Sequence, residues 1–157
     1  MTLSSAAAEE IITACLARGQ EIGKAFSIAV VDAGGFVLSV RRSDGARPLT
    51  PDIARAKAFS AAVMQRPTKM LHGWAESNPV FFSQLSQMTT YPIVATEGGV
   101  TIKRDGEILG GLGVSGGTGD EDQQVCDDVL AALGYELEFA AWAGAKQADA
   151  KKAEKNG

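Results

Sequence analysis

Three cationic side chains lie within segments whose other residues are mostly small or apolar, where a charge is not needed for folding. Arg41 ends a predicted strand, and Arg55 and Lys57 interrupt a helical segment of otherwise small residues. An arginine guanidinium is a planar fork that binds a carboxylate through two hydrogen bonds. Together these side chains can form a cationic rim for the carboxylate of a ligand. For either arginine alone, a structural ion pair with Asp44 or Glu97 is the more common role.

The only histidine, His72, lies among apolar neighbours in the segment Lys-Met-Leu-His-Gly-Trp. A lone histidine in such surroundings is usually a partly buried packing residue. It is also the strongest candidate in this chain for the axial ligand of a metal macrocycle. Zinc is not expected, because one histidine and two distant cysteines, Cys15 and Cys126, lack the closely spaced ligand pairs of a tetrahedral site. The two thiols are expected to pack in helices rather than to form a disulfide.

A glycine run at 111–116 (GLGVSG) matches two chemical motifs by its letters. The dinucleotide fingerprint requires a parallel strand–helix unit, and the helix that follows here begins with three acids that would repel a pyrophosphate. The G-x-S-x-G motif of hydrolases requires a later histidine, whereas the only histidine comes earlier. We therefore expect no nucleotide cofactor, and we interpret the glycines as a turn into a helix that is capped by Asp120.

Short strands and amphipathic helices must position these residues. Two pairs of β-branched segments are each joined by a glycine turn, and the second turn is the Asp105-Gly106 pair typical of a type I′ hairpin. The strands are predicted at 26–32, 36–42, 99–104 and 107–115, and the helices up to residue 19, at 51–65, within 68–90 and at 120–133. This order favours an α+β fold in which helices pack on one antiparallel sheet, with 136–144 as one more short element.

Composition and charge exclude several classes of protein. With 45% hydrophobic and 22% charged residues, the 157-residue chain is typical of one globular domain, predicted at 1–143 with a charged, flexible tail at 144–157. A net charge of −4 argues against a nucleic-acid partner. The sequence contains no apolar run long enough to span a membrane and no signal peptide at its start, so we expect a cytoplasmic protein unless a leader was removed.

Two segments together resemble a known family. They are IAVVDAGGFVLSVRRSDGARPLTPDIARAKAFSA (28–61) and EGGVTIKRDGEILGGLGVSGGTGDEDQQV (97–125). Six short blocks in them, in order and spacing, resemble the GlcG/HbpS family, which includes the C-terminal domain of PduO-type corrinoid adenosyltransferases. The resemblance implies a profilin- or PAS-like α/β/α sandwich around a five-stranded antiparallel sheet. It also implies a homo-oligomer, either a dimer or a larger ring.

The resemblance implies haem, or a related cofactor, as the small-molecule ligand. In that case the pocket is expected between the helix of 51–65 and the second hairpin, and His72 is the candidate iron ligand. The residues expected to bind the rest of the ligand, its carboxylates above all, are Arg41, Arg55, Lys57, Gly98 and Gly99.

Two other functions stay open from the sequence. The first is an enzyme that acts on a small carboxylated metabolite by an isomerase- or lyase-type proton transfer. Arg55 and Lys57 would then hold the substrate, and Asp44 or Glu97 would act as the general base. The second is a structural or sensory domain that binds a protein partner and no ligand.

Overall fold

A computed structural model describes residues 1–137, which form two hairpins and five α-helices. The helices are α1 (Ser5–Glu21), α2 (Thr50–Met64), α3 (His72–Ser77), α4 (Pro79–Leu85) and α5 (Gly119–Ala132), with a 3-10 turn at Thr68–Leu71. The strands are β1 (Ser27–Asp32), β2 (Val37–Arg42), β3 (Gly99–Arg104) and β4 (Glu107–Ser115). Each predicted strand agrees with these bounds to within one residue. The predicted tail and most of the predicted element at 136–144 lie outside the described residues.

The strands form one sheet in the order β2-β1-β4-β3, and every neighbouring pair is antiparallel. Asp105 and Gly106 have φ values of 53° and 75°, as the predicted type I′ turn requires. The sheet of the described residues has four strands, so the expectation of five is wrong for this part of the chain. After α5, the Glu136 N–H donates to the Lys103 carbonyl of β3, and one such bond does not make a strand ladder.

Alternate side chains of the sheet enter two separate cores. Ile28 and Val30 pack in a core with α1 and α5. Ala29 and Val31 lie on the opposite face, against α2. Helices therefore cover both faces of the antiparallel sheet, which gives the three layers that the resemblance implied.

Helix α2 approaches the sheet backbone very closely at the glycines of β4. A Cβ atom on Gly113 would lie 1.9 Å from the carbonyl oxygen of Ala54, and one on Gly111 would lie 2.1 Å from that of Ala58. The glycine run at 111–116 is thus a packing surface for a helix of small residues. It leaves no space between α2 and β4, so the described residues of a single chain form no pocket at that contact.

Two helix ends differ from the prediction. Helix α1 continues to Glu21 because Gly19 does not end it; a Cβ there would lie 2.6 Å from the Phe26 ring, so this glycine makes room for that side chain. Helix α5 is capped by Thr118 instead of Asp120. The Thr118 hydroxyl accepts from the Glu121 N–H, and the Glu121 carboxylate accepts from the Thr118 N–H, which is a capping box.

Within residues 1–137 we find neither a cluster of metal-ligating side chains nor a helix that could cross a membrane. No group of three or more His, Cys, Asp and Glu side chains is placed to hold a metal ion there. None of the described helices is both long and apolar enough to cross a membrane. Cys15 and Cys126 are unpaired in the core between α1 and α5, where burial raises the pKa of both thiols.

Candidate functional site

Lys57, expected to bind the carboxylate of a ligand, is buried against a carboxylate of the chain itself. Its side chain is 4% exposed, and its Nζ donates to Asp122 Oδ2 at 2.8 Å and to the Val114 carbonyl at 2.9 Å. The other Asp122 oxygen accepts from the Gly117 N–H at 2.9 Å. Burial raises the pKa of the Asp122 carboxyl, while the charge and hydrogen bond of Lys57 oppose that rise. This ion pair ties α2 to the first turn of α5.

Gly98 and Gly99 lie against the same ion pair. A Cβ on Gly98, whose φ is 102°, would lie 2.9 Å from Lys57 Nζ. The Gly98 N–H donates to Gln123 Oε1 at 3.1 Å, and the Gly99 N–H donates to Thr68 Oγ1 at 3.0 Å. The two backbone donors that a ligand would use are therefore already satisfied by side chains of the protein.

Arg41 and Arg55 lie on opposite faces of the sheet. Arg41 pairs in register with Ile28, whose side chain faces α1, and its guanidinium contacts the Glu9 carboxylate of α1. Arg55 belongs to α2, which covers the other face. The structure therefore does not bring these cations together into one rim.

The two candidate general bases lie at opposite edges of the sheet. Asp44 is exposed in the turn after β2, and Glu97 is half-buried just before β3. Because β1 and β4 lie between these edge strands, strand spacing alone separates the two positions by about 14 Å. One small substrate cannot contact both carboxylates.

His72 is the first residue of α3 and points away from the core. Its side chain is 67% exposed, and its Nε2 lies 3.0 Å from Glu76 Oε1, one turn along the helix. The expected packing role is therefore wrong. Its candidate role as an iron ligand remains a prediction, for a site that would have to include the outer surface of α3.

Arg55 lies beside an aromatic cluster and keeps one unpaired donor. Its guanidinium carbon is 4.5 Å from the centroid of the Tyr91 ring, and its Nη2 donates to Asp52 Oδ1 at 2.9 Å. Its Nε is buried and donates to no atom of the described residues. Phe59, one helical turn further along α2, packs edge-on against the same Tyr91 ring with centroids 5.4 Å apart.

A cavity of about 280 Å³ opens next to this cluster, and we call it the aromatic groove. The turn between β1 and β2 forms one side, the segment of residues 88–91 forms the other, and Phe59 lies in α2 between them. The complete lining is Gly34, Gly35, Phe36, Val37, Phe59, Met88, Thr89, Thr90 and Tyr91. Phe36 and Met88 are 73% and 71% exposed, so large apolar side chains stand in solvent at its rim.

The shape of the β1–β2 turn follows from two of its residues. The Asp32 carboxylate accepts hydrogen bonds from the N–H groups of Gly34 and Phe36, at 2.9 and 3.0 Å. Gly35 has a φ of 84°, and a Cβ there would lie 2.6 Å from the Phe59 ring. The turn therefore closes tightly over Phe59 and holds Phe36 outward at the rim of the groove.

Two other cavities have a more polar lining than the aromatic groove. One of about 570 Å³ lies between the end of α1 and the end of β2, and it is lined by charged residues that include Lys24, Arg42 and Asp44. Another, of about 340 Å³, lies beside β3 and is lined by Lys69, Asp127 and others. Only the aromatic groove, among these three, has aromatic rings in its lining.

Comparisons with known proteins cover most of the chain. A family model described as "Haem degrading protein HbpS-like" matches residues 3–131. Protein GlcG of Escherichia coli K12 is 36% identical over 111 residues, which cover 68% of this chain and 79% of GlcG. Corrinoid adenosyltransferase PduO of Citrobacter freundii is 29% identical over 133 residues, which cover 85% of this chain and 39% of PduO. The chain thus spans well under half the length of that enzyme.

One solved structure among those similar to this chain contains a ligand. The crystal structure of a PduOC:haem complex superposes with a TM-score of 0.79 at 25% sequence identity. The superposition covers 88% of this chain and 100% of the PduOC chain. The three-layer fold is therefore shared with a protein that has been crystallised with haem.

Proposed function

The chain belongs to the HbpS-like family, and on that premise we propose that it binds haem in the aromatic groove, where Arg55 holds a carboxylate of the ligand. The observation that carries the proposal is the combination of aromatic rings and an incompletely paired arginine at one opening. Haem is a flat apolar macrocycle with two carboxylates. A site that offers both features side by side suits such a ligand.

The lining of the groove fits the apolar part of haem. Phe36, Phe59 and Tyr91 offer ring surfaces, and Met88 adds a flexible thioether. Because the cavity is about 280 Å³ and open on one side, it is near the lower limit for ligand pockets. Part of the macrocycle would therefore lie against the exposed side chains at the rim, or against a second subunit.

The charge of Arg55 fits the carboxylate. Lys57 is neutralised by Asp122 and Arg41 is paired with Glu9 on the far face, so Arg55 is the only one of the three predicted cations that lies beside the groove. Its pairing with Asp52 is half-exposed and therefore weak, and within residues 1–137 its Nε donates to no acceptor. Because the Arg55 side chain is 36% exposed, a carboxylate of the ligand can reach the outer part of the guanidinium. Bound haem would bring an iron whose chemistry is set by its axial ligands.

Titration of the protein with hemin tests this proposal, with the Soret band as the signal. We expect a shifted band that saturates at one hemin per chain, or at one per two chains if the site lies at an interface. Arg55→Ala should weaken the affinity by about tenfold, because it removes the cation that holds the carboxylate of the ligand.

Arg41→Ala is the matched control, since it removes an exposed arginine from the opposite face of the sheet and should leave the affinity unchanged. A linear, unsaturable increase in absorbance would contradict haem binding. An equal loss of affinity in both variants would place the ligand somewhere other than the aromatic groove.

A further inference from the structure

We propose that Tyr91 is the ligand of the haem iron in the aromatic groove, an inference that rests on the proposed function. Tyr91 lines the groove and is half-buried there. Its ring is fixed on two sides, by the edge of Phe59 and by the guanidinium of Arg55. The side chain is thus held in place by packing.

The hydroxyl of Tyr91 is unpaired within the part of the chain that the structure describes. No atom within residues 1–137 forms a hydrogen bond with it, although the backbone carbonyl of the same residue accepts from the Thr89 hydroxyl at 2.7 Å. A tyrosine combines an apolar ring with a polar hydroxyl that can bond to a ligand. Because Tyr91 lines the groove, its hydroxyl is left available to a ligand bound there.

The neighbouring charge suits an anionic ligand. Tyrosine binds haem iron as the phenolate, so the Oη–H bond breaks, an Oη–Fe bond forms, and the proton leaves to solvent. The Arg55 guanidinium, 4.5 Å from the ring centroid, balances the negative charge of the bound phenolate. This arrangement favours ferric over ferrous iron, because an anionic ligand stabilises the higher charge.

The competing ligands are less well placed. His72 is exposed on α3, outside the lining of the groove, and its Nε2 is paired with Glu76. Met88 does line the groove, but its side chain is 71% exposed, and a neutral thioether gains nothing from the nearby arginine.

The decisive variant is Tyr91→Phe, studied as its ferric hemin complex. Wild-type protein should show the phenolate-to-iron charge-transfer absorption and the phenolate modes in resonance Raman spectra. Tyr91→Phe should lose both features and should have a higher reduction potential. Because the hydroxyl forms no hydrogen bond with the described residues, the variant should keep the melting temperature of the wild-type apo-protein.

Tyr135→Phe is a matched control, because Tyr135 also lies under an arginine, with the Arg104 guanidinium carbon 4.2 Å from its ring, but does not line the groove. It should leave the spectrum unchanged. A spectrum that changes with His72→Ala or with Met88→Ala, and not with Tyr91→Phe, would overturn the assignment of Tyr91 and leave haem binding intact. Absence of saturable hemin binding in the wild-type protein would instead refute the proposed function itself.

Discussion

At the scale of single residues, Lys57 shows how one side chain can be mistaken for a binding group. From the sequence alone, a lysine among alanines suggests a charge that binds the carboxylate of a ligand. The structure supplies an internal one, since Asp122 lies 65 positions later and reaches Lys57 only because α5 packs against the same end of the sheet. Nothing local in the sequence distinguishes these two situations. Arg55 is also a cation among small residues of α2, but its only ion pair within the described residues is the half-exposed one with Asp52, and it lies beside an open cavity.

Removing only one residue of the Lys57–Asp122 ion pair should destabilise the protein more than replacing both. Lys57→Met leaves the Asp122 carboxylate buried without its counter-ion and should lower the free energy of unfolding by about 3–5 kcal/mol. The double variant Lys57→Met/Asp122→Leu removes the stranded charge and should recover a large part of that loss. Urea denaturation of the two variants and the wild type measures the difference. A double variant less stable than Lys57→Met would contradict the account.

The same single variant should show a characteristic dependence on pH. Burial raises the pKa of Asp122, and without Lys57 nothing of comparable strength opposes it. The native state then binds more protons than the unfolded state between the ordinary carboxyl pKa and the raised one. The stability of Lys57→Met should therefore fall as pH rises through that window. Stability that rises with pH there would show that the carboxylate has found another cation.

At the scale of elements, the sequence predicts the strands well and the helix ends less well. β-branched segments between glycine turns have few alternative structures, so all four strands were placed to within one residue. The ends of helices depend on what a residue touches. Gly19 was predicted to end α1 but accommodates Phe26, and Thr118 caps α5 in place of Asp120 because its hydroxyl reaches the Glu121 N–H.

The contact between α2 and β4 offers a sharp test at this scale. Gly113→Ala would place a methyl group 1.9 Å from the Ala54 carbonyl oxygen, so the helix must lift away from the sheet. We expect a loss of about 3 kcal/mol in the free energy of unfolding. Gly73→Ala is the control: it lies in α3 with nothing within 4 Å of the new methyl group, and it should stabilise the helix by up to about 1 kcal/mol. Equal effects of the two substitutions would disprove the close approach.

At the scale of the whole molecule, the fold is predictable from the sequence and the site is not. The order of helices and hairpins, together with the family resemblance, specifies a helix-covered antiparallel sheet. The aromatic groove combines the β1–β2 turn, one residue of α2 and the segment 88–91. The sequence of any one of these segments does not indicate that the other two lie beside it. The one signal in the sequence is a pair of large apolar residues at the ends of predicted elements: Phe36 begins a predicted strand directly after the glycine turn, and Met88 lies near the end of the predicted helical segment at 68–90.

The β2 edge of the molecule gives the predicted homo-oligomer a place to form. Helix α2 covers β1 and β4 but leaves Val37 and Val40 of β2 partly exposed, 40% and 37%, on the same side as the groove. A second subunit on this edge would cover those residues and enclose one side of the aromatic groove. Self-association therefore remains a prediction that bears directly on how many haem molecules each chain binds.

The most direct test of the central claim is to fill the aromatic groove and measure hemin affinity. Thr90→Trp introduces an indole at an exposed position of the lining, and Asp44→Trp introduces the same ring in the larger cavity of about 570 Å³ at the other side of β2. If haem binds in the groove, Thr90→Trp should lower the affinity by about tenfold or more, and Asp44→Trp should bind hemin as the wild type does. Wild-type affinity in Thr90→Trp, or a loss confined to Asp44→Trp, would contradict the account.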